Sequence, residues 1–177
     1  RVRVTGTNAG GSSNASSSAT APVAATPPVL VDPPAISGTE RDGQTLTSTV
    51  GSWTGTPTIT YARQWRRCDS TGSACVDIAG ETGVTYTLTP ADVGATIRMR
   101  VVATNAGGPT PASSLPSQPV APEPPANVDL PTTSGTTRDG QTLTAGAGVW
   151  TGTPVIDFTY QWQRCDAAGD NCSDISG

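Results

Sequence analysis

The feature that most limits what this chain can fold into is an internal repeat. Arg41-Asp42-Gly43-Gln44-Thr45-Leu46-Thr47 returns as Arg138-Asp139-Gly140-Gln141-Thr142-Leu143-Thr144, and Trp53-Thr54-Gly55-Thr56-Pro57 returns as Trp150-Thr151-Gly152-Thr153-Pro154. Each pair lies 97 residues apart, as do Gln64-Trp65 and Gln161-Trp162, and Asn8-Ala9-Gly10-Gly11 and Asn105-Ala106-Gly107-Gly108. No gap is needed to align them. Solenoid units run to about 20–45 residues, whereas a complete two-sheet sandwich needs about 100. The period therefore predicts whole β-domains in series.

Period-2 alternation marks the strands inside one repeat. Leu46, Ser48 and Val50 share one face, opposite Thr45, Thr47 and Thr49. After the turn at Thr54-Gly55-Thr56-Pro57, the residues Ile59, Tyr61, Arg63, Trp65 and Arg67 share a face. In the second copy Ile156, Phe158, Tyr160, Trp162 and Arg164 do. Trp65 and Trp162 are the expected core centres, joined by Tyr86, Leu88, Met99 and Val101. The arginines are expected along the rim, with packed stems and wet guanidinium groups. Asn105-Ala106-Gly107-Gly108 turns the chain into a Ser- and Pro-rich edge strand.

The fold class is thus all-β, with tandem sandwich repeats joined by Pro-rich linkers. Residues 1–23 read as the last two strands of a preceding repeat and 24–33 as a linker. Residues 34–120 read as a complete repeat, 121–131 as a second linker and 132–177 as the first strands of a following repeat. The stretch with no counterpart in the second copy is 81–97, which carries Tyr86 and Leu88. Pro27-Pro28, Pro33-Pro34 and Pro124-Pro125 suggest extended, semi-rigid spacers. The first residue is Arg1, without a signal-peptide pattern, so the sequence reads as an interior piece of a longer protein.

Four cysteines allow three pairings. Each repeat holds two, Cys68 with Cys75 and Cys165 with Cys172, and the simplest arrangement is a local staple across a hairpin loop. Zinc would need four ligands, which a histidine-free chain without a Cys-x-x-Cys pair supplies badly. Persisting disulfides imply an oxidising, extracellular setting.

Composition narrows the chemistry. The 177 residues contain no histidine and no lysine, all ten basic residues are arginine, and the net charge is −4. General acid and base catalysis would have to rest on paired carboxylates alone, so no enzyme and no cofactor are expected. Neither a basic stripe nor an apolar run of about 20 residues is present, so no nucleic-acid partner and no membrane insertion are expected in this segment.

The series Gln64-Trp65-Arg66-Arg67-Cys68-Asp69, Cys75-Val76-Asp77-Ile78-Ala79-Gly80, Thr85-Tyr86-Thr87-Leu88, Asp92-Val93-Gly94 and Ile97-Arg98-Met99-Arg100-Val101 resembles the bacterial immunoglobulin-like tandem repeats of large secreted and cell-surface proteins. Asp92-x-Gly94 before the penultimate strand and Trp65 in the third resemble the general immunoglobulin plan, in which such an Asp stabilises the turn between strands. The cysteines depart from it, since neither sits where the usual inter-sheet disulfide lies. The resemblance implies a sandwich and a surface location; it names no ligand.

Weaker patterns remain. Leu130-Pro131-Thr132-Thr133-Ser134 approximates a sortase signal, but Ser134 replaces the required Gly. Asp32 and Asp129 recur in the inter-repeat segments without the six to eight oxygens calcium needs. Asn14-Ala15-Ser16 and Asn171-Cys172-Ser173 match the N-glycosylation pattern, and Ser12 to Thr20 is a Ser-rich tract suited to O-glycosylation. Trp53 and Trp150 could stack on a glycan, although a Trp before a tight turn more often covers the edge of a core.

The expected function is structural, a segment of a stalk or filament at a bacterial cell surface. An adhesin repeat that binds a glycan or host ligand and an accessory module of a secreted enzyme are the alternatives. The expected partner is a homopolymer or neighbouring repeats of the same chain. In an assembled filament Val2, Val4 and Trp162 are expected to be covered.

Overall fold

A computed structural model describes residues 1–176; Gly177, the last residue of the expected 132–177 segment, lies outside the described residues. The chain is all-β. In chain order the strands are β1 (Arg3–Asn8), β2 (Gly11–Ser16), β3 (Val29–Asp32), β4 (Ile36–Ser37), β5 (Thr45–Ser48), β6 (Ser52–Thr54), β7 (Thr60–Cys68), β8 (Val76–Asp77) and β9 (Thr85–Thr87). There follow β10 (Thr96–Asn105), β11 (Gly108–Ser113), β12 (Ala126–Asp129), β13 (Thr132–Gly135), β14 (Leu143–Gly146), β15 (Val149–Thr151), β16 (Gln163–Arg164) and β17 (Ser173–Asp174). Among the described residues the only helical turn is a 3-10 turn at Pro90–Asp92.

The central unit sets a four-stranded antiparallel sheet, β11-β10-β7-β8, against a three-stranded one, β4-β5-β9. Alternation decides which residues meet between them. Leu46 from β5, Tyr86 from β9, Trp65 from β7 and Ile97, Met99 and Val101 from β10 form one buried cluster with Leu88 and Val120. Met99 lies opposite Trp65 in the β10–β7 ladder, and Leu46 lies opposite Tyr86 in β5–β9. Each such fully buried side chain contributes about 1.5–3 kcal/mol. The sheet pair is consistent with a β-sandwich.

The edge of β10 continues past the end of β11 through two serines. The Met99 and Ile97 amides donate to Ser114 Oγ and Ser117 Oγ, while the two serine amides donate back to the Met99 and Ile97 carbonyls. Hydroxyls thus replace a strand where the prolines of this segment could not donate.

The Pro-rich segments are not free spacers. Val29–Asp32 pairs antiparallel with β6, and Ala126–Asp129 pairs in the same way with β15. Pro28 and Pro34 are fully buried. Proline lacks only the amide donor, so it can flank a short edge strand while its ring packs inward. The unit therefore begins before residue 34. The chain doubles back tightly here: a side chain at Gly51, with φ +77°, would run into the Asp32 carbonyl, and one at Gly148, with φ +79°, into that of Asp129.

At the N-terminus β1 and β2 form a hairpin whose register, Arg3 with Ser16 to Asn8 with Gly11, matches that of β10 and β11, Arg100 with Ser113 to Asn105 with Gly108. The serine device is matched too, since the Val2 amide donates to Ser17 Oγ and the Ser17 amide to the Val2 carbonyl. Every residue of the hairpin is exposed.

Two expectations for residues 132–176 are corrected. The long strand anticipated from Ile156 to Arg164 is ordered into a ladder only at β16, which pairs with β17. Trp162, expected at a core centre, is 39% exposed, whereas Trp65 is 0% exposed. The cause is the same for both: β10 lies along β7 and covers Trp65, and among the described residues no strand lies along Phe158 to Trp162.

Candidate functional site

Three arrangements are built from side chains rather than from backbone pairing alone. The first is the stapled loop. Cys68 is bonded to Cys75 and Cys165 to Cys172, each bridge spanning seven positions in sequence. Inside the ring Asp69 Oδ1 accepts from the Thr71 amide, the Thr71 hydroxyl and the Ser73 amide. The Asp69 amide donates to the Ser73 carbonyl. In the second copy Asp166 accepts from the Ala168 and Asp170 amides and from Asn171 Nδ2. These donors favour the ionised form. The Thr71 hydroxyl foremost, then the Ser73 amide, holds the Asp69 carboxyl below its ordinary range; the Asn171 amide and the Asp170 amide do so for Asp166. The loop is a turn closed by its disulfide and by hydrogen bonds that gather on one aspartate.

The second is a buried carboxylate. Asp92 is 0% exposed at the 3-10 turn. Its Oδ2 accepts from the Tyr86 hydroxyl, the Thr89 amide and the Thr89 hydroxyl, each at 2.8 Å. Its Oδ1 accepts from Arg67 Nε at 2.6 Å. Burial pushes this carboxyl up, but the bonds from Thr89, Tyr86 and Arg67 outweigh burial and hold it below the ordinary range. The Tyr86 phenol is pushed up by burial and by the adjoining carboxylate. Arg67 is thereby turned from the wet rim expected for it into a partner for the core, because an unpaired buried carboxylate would be far costlier than a desolvated guanidinium.

The third is a seam beyond the central unit. Val120 and Ala121 form parallel bridges with Val93 and Arg41. The Asp42 amide donates to the Ala121 carbonyl and the Ala121 amide to the Glu40 carbonyl. Arg41 also approaches Glu123 at 3.8 Å, an exposed pair that contributes little. The Thr153 hydroxyl accepts from the Glu123 amide at 2.7 Å and donates to Asp42 Oδ2 at 2.6 Å. One hydroxyl therefore links the segment after Val120, the turn of residues 151–154 and the buried Asp42.

The remaining sequence candidates fall outside these arrangements. Trp53 and Trp150 are half-buried: their indole N–H groups donate to the Val50 and Ala147 carbonyls, and their rings lie 6.4 Å from Tyr61 and 5.9 Å from Phe158. Asp32 accepts from the Ser52 hydroxyl. No group of three or more His, Cys, Asp or Glu is placed to hold a metal among the described residues. Asn14 is exposed on β2, while the Asn171 amide is engaged by Asp166. The seam was missed by sequence reasoning. Its signal was present in the repeated Arg-Asp-Gly and Thr-Gly-Thr-Pro motifs, but nothing in a linear repeat says that one motif touches the other copy's partner.

Fold and sites together define an all-β protein with two local disulfides and no helix, among the described residues, long and apolar enough to cross a membrane. No protein-family model matches the chain, and no curated protein is found to match it.

Proposed function

We propose that this chain is a structural segment of an extracellular stalk or filament at a bacterial cell surface, built of immunoglobulin-like β-sandwich repeats with a 97-residue period. The observation that carries the reading is the seam. A flexible string of domains needs no specific contact between one unit and the next, whereas Asp42, Thr153 and Glu123 form a continuous hydrogen-bonded joint. A joint of this kind converts a string into a rod, which is what a projecting element requires. The two disulfides support an oxidising location, and the committed turns and pinned indoles support a mechanical role over a binding one. Glycan capture by Trp53 or Trp150 draws less support, since each ring is packed and its donor is used.

Small-angle X-ray scattering on Asp42→Ala/Thr153→Val at low protein concentration tests the joint. The wild-type chain should scatter as one extended conformer, and the double variant should broaden the distance distribution with each unit still folded. A wild-type chain that already scatters as a flexible ensemble would remove the basis for a stalk.

A further inference from the structure

The outer face of the four-stranded sheet gathers positive charge that no linear stretch of the sequence displays. Because Trp65, Met99 and Val101 turn into the core, alternation sends Arg66, Arg98 and Arg100 to the opposite, solvent side. Arg66 lies directly opposite Arg98 in the β7–β10 ladder, and Arg100 follows two residues along β10, opposite Gln64. Side chains so placed stand about 5–7 Å apart at their roots, and like charges directly opposite destabilise a sheet. The cluster therefore needs acceptors.

The stapled loop supplies some of them and fixes two of the three groups. Arg66 donates from Nε to Asp77 Oδ1 at 2.7 Å and from Nη2 to the Cys75 carbonyl at 2.6 Å. Arg98 donates from Nε to the Ser114 carbonyl at 2.9 Å and from Nη1 to the Gly72 carbonyl at 3.3 Å. Gly72 and Cys75 belong to the ring closed by the disulfide, and a side chain at Gly72 would run into Pro116. Each guanidinium has five N–H donors, so both keep donors for a further acceptor. Arg100 is exposed and pairs with no carboxylate among the described residues. Asp77 offsets part of the charge, while the Asp69 carboxylate is turned onto Thr71 and Ser73 within its own loop.

We propose that this face binds an acidic polysaccharide, whose carboxylate or sulfate groups accept from Arg66, Arg98 and Arg100. The guanidinium fork is weakly hydrated and matches oxyanions, and groups already held in place lose less freedom on binding. The chain carries a net charge of −4, so attraction is confined to this patch of opposite sign. Nucleic acid fits less well. Single-stranded bases need aromatic platforms, and the rest of this face is Thr60, Ala62, Val102, Thr104 and Pro111. Repetition favours a long ligand. Arg98 and Arg100 recur 97 residues away as Arg1 and Arg3, and Arg3 pairs with Ser16 as Arg100 pairs with Ser113, although Arg66 is replaced by Gln163 in the other copy. Weak sites repeated along a chain hold a polymer through avidity. The proposal goes beyond the structural reading and does not depend on the seam: a chain found flexible by scattering would keep the patch.

Affinity electrophoresis of the full chain through gels containing polygalacturonate or dextran sulfate tests it, with neutral dextran as the reference. The wild-type chain should be retarded by one or both polyanions and not by dextran, and the retardation should fade as salt rises from about 20 mM to about 300 mM. The stronger polyanion identifies the acid group. Arg100→Gln should weaken binding about fivefold, the loss of one exposed charged contact. Arg138→Gln removes the same charge from an exposed position off this face and should bind as the wild type does. Asp77→Asn keeps an acceptor for Arg66 but removes the opposing charge, so it should bind about three- to fivefold more tightly, a gain that a misfolded variant would not give. No retardation of the wild type, equal losses for Arg100→Gln and Arg138→Gln, or no gain for Asp77→Asn would overturn the proposal. So would tighter binding to single-stranded DNA or to vesicles of anionic lipid than to either polysaccharide.

Discussion

Replacing Asp92 is the sharpest test of how the central unit is held together. Asp92→Ala removes the acceptor for Arg67 Nε, the Tyr86 hydroxyl and the Thr89 amide and hydroxyl at once. Breaking a buried ion pair on one side costs about 3–5 kcal/mol, much of it from groups left without partners. Asp92→Asn keeps the shape and one acceptor but turns an amide N–H towards the donors, for about 2–4 kcal/mol. With a urea m-value of about 1–1.5 kcal/mol/M for a unit of this size, a 3 kcal/mol loss lowers the midpoint by about 2–3 M. Trp65 reports the event by fluorescence, since its ring lies 5.8 Å from Tyr86 in the core. The pH dependence has a definite sign. Because the folded carboxyl titrates below its ordinary value of 3.8, its stabilisation is fully present above that value and is lost as pH falls through the folded one. Asp92→Asn should flatten the acid limb in that window. Arg67→Met combined with Asp92→Asn should cost less than the sum of the single changes. A midpoint shift worth under about 0.5 kcal/mol for Asp92→Ala would refute the claim that this carboxylate organises the turn.

Two further outcomes are expected. Non-reducing peptide mapping should recover Cys68 joined to Cys75 and Cys165 to Cys172, and removing the first bridge by Cys68→Ala/Cys75→Ala should cost about 2–3 kcal/mol by loop-closure entropy, read from the urea midpoint. Trp65→Ala should cost about 3–5 kcal/mol, whereas Trp162→Ala in dilute, monomeric chain should cost about 1 kcal/mol or less; equal losses would mean that the Trp162 face is already covered.

Much of the central unit was legible because alternation is a local signal. Leu46, Trp65, Tyr86, Leu88, Met99 and Val101 sit at alternating positions of short β-rich runs, and all are buried. The cysteine staples were legible for the same reason, since their ends are close in sequence. The misreadings share a different cause. The segment 24–33 looked like a spacer because Pro-Pro pairs dominate it, yet Val29–Asp32 is a strand whose partner, β6, lies about twenty residues on. Trp162 repeats Trp65 letter for letter, but burial belongs to what lies across from a residue, and among the described residues no strand lies alongside Trp162 as β10 lies alongside Trp65. Arg67 looked like a rim residue until the turn placed Asp92 beneath it. Periodicity reports which face a side chain takes, while pairing partners and buried charges are decided by residues far away in sequence.

The stapled loop also changes what a protease can accomplish. The ring between Cys68 and Cys75 is the exposed tip of a hairpin, with Asp69, Ser70 and Thr71 open to solvent, the kind of site where cleavage begins. A cut anywhere inside that ring leaves both new ends tied through sulfur. The strands on either side keep their ladder bonds, the Trp65 cluster keeps its cover, and the chain remains one covalent piece from end to end. In an oxidising setting that keeps the sulfurs joined, the bridge turns a scission into a nick.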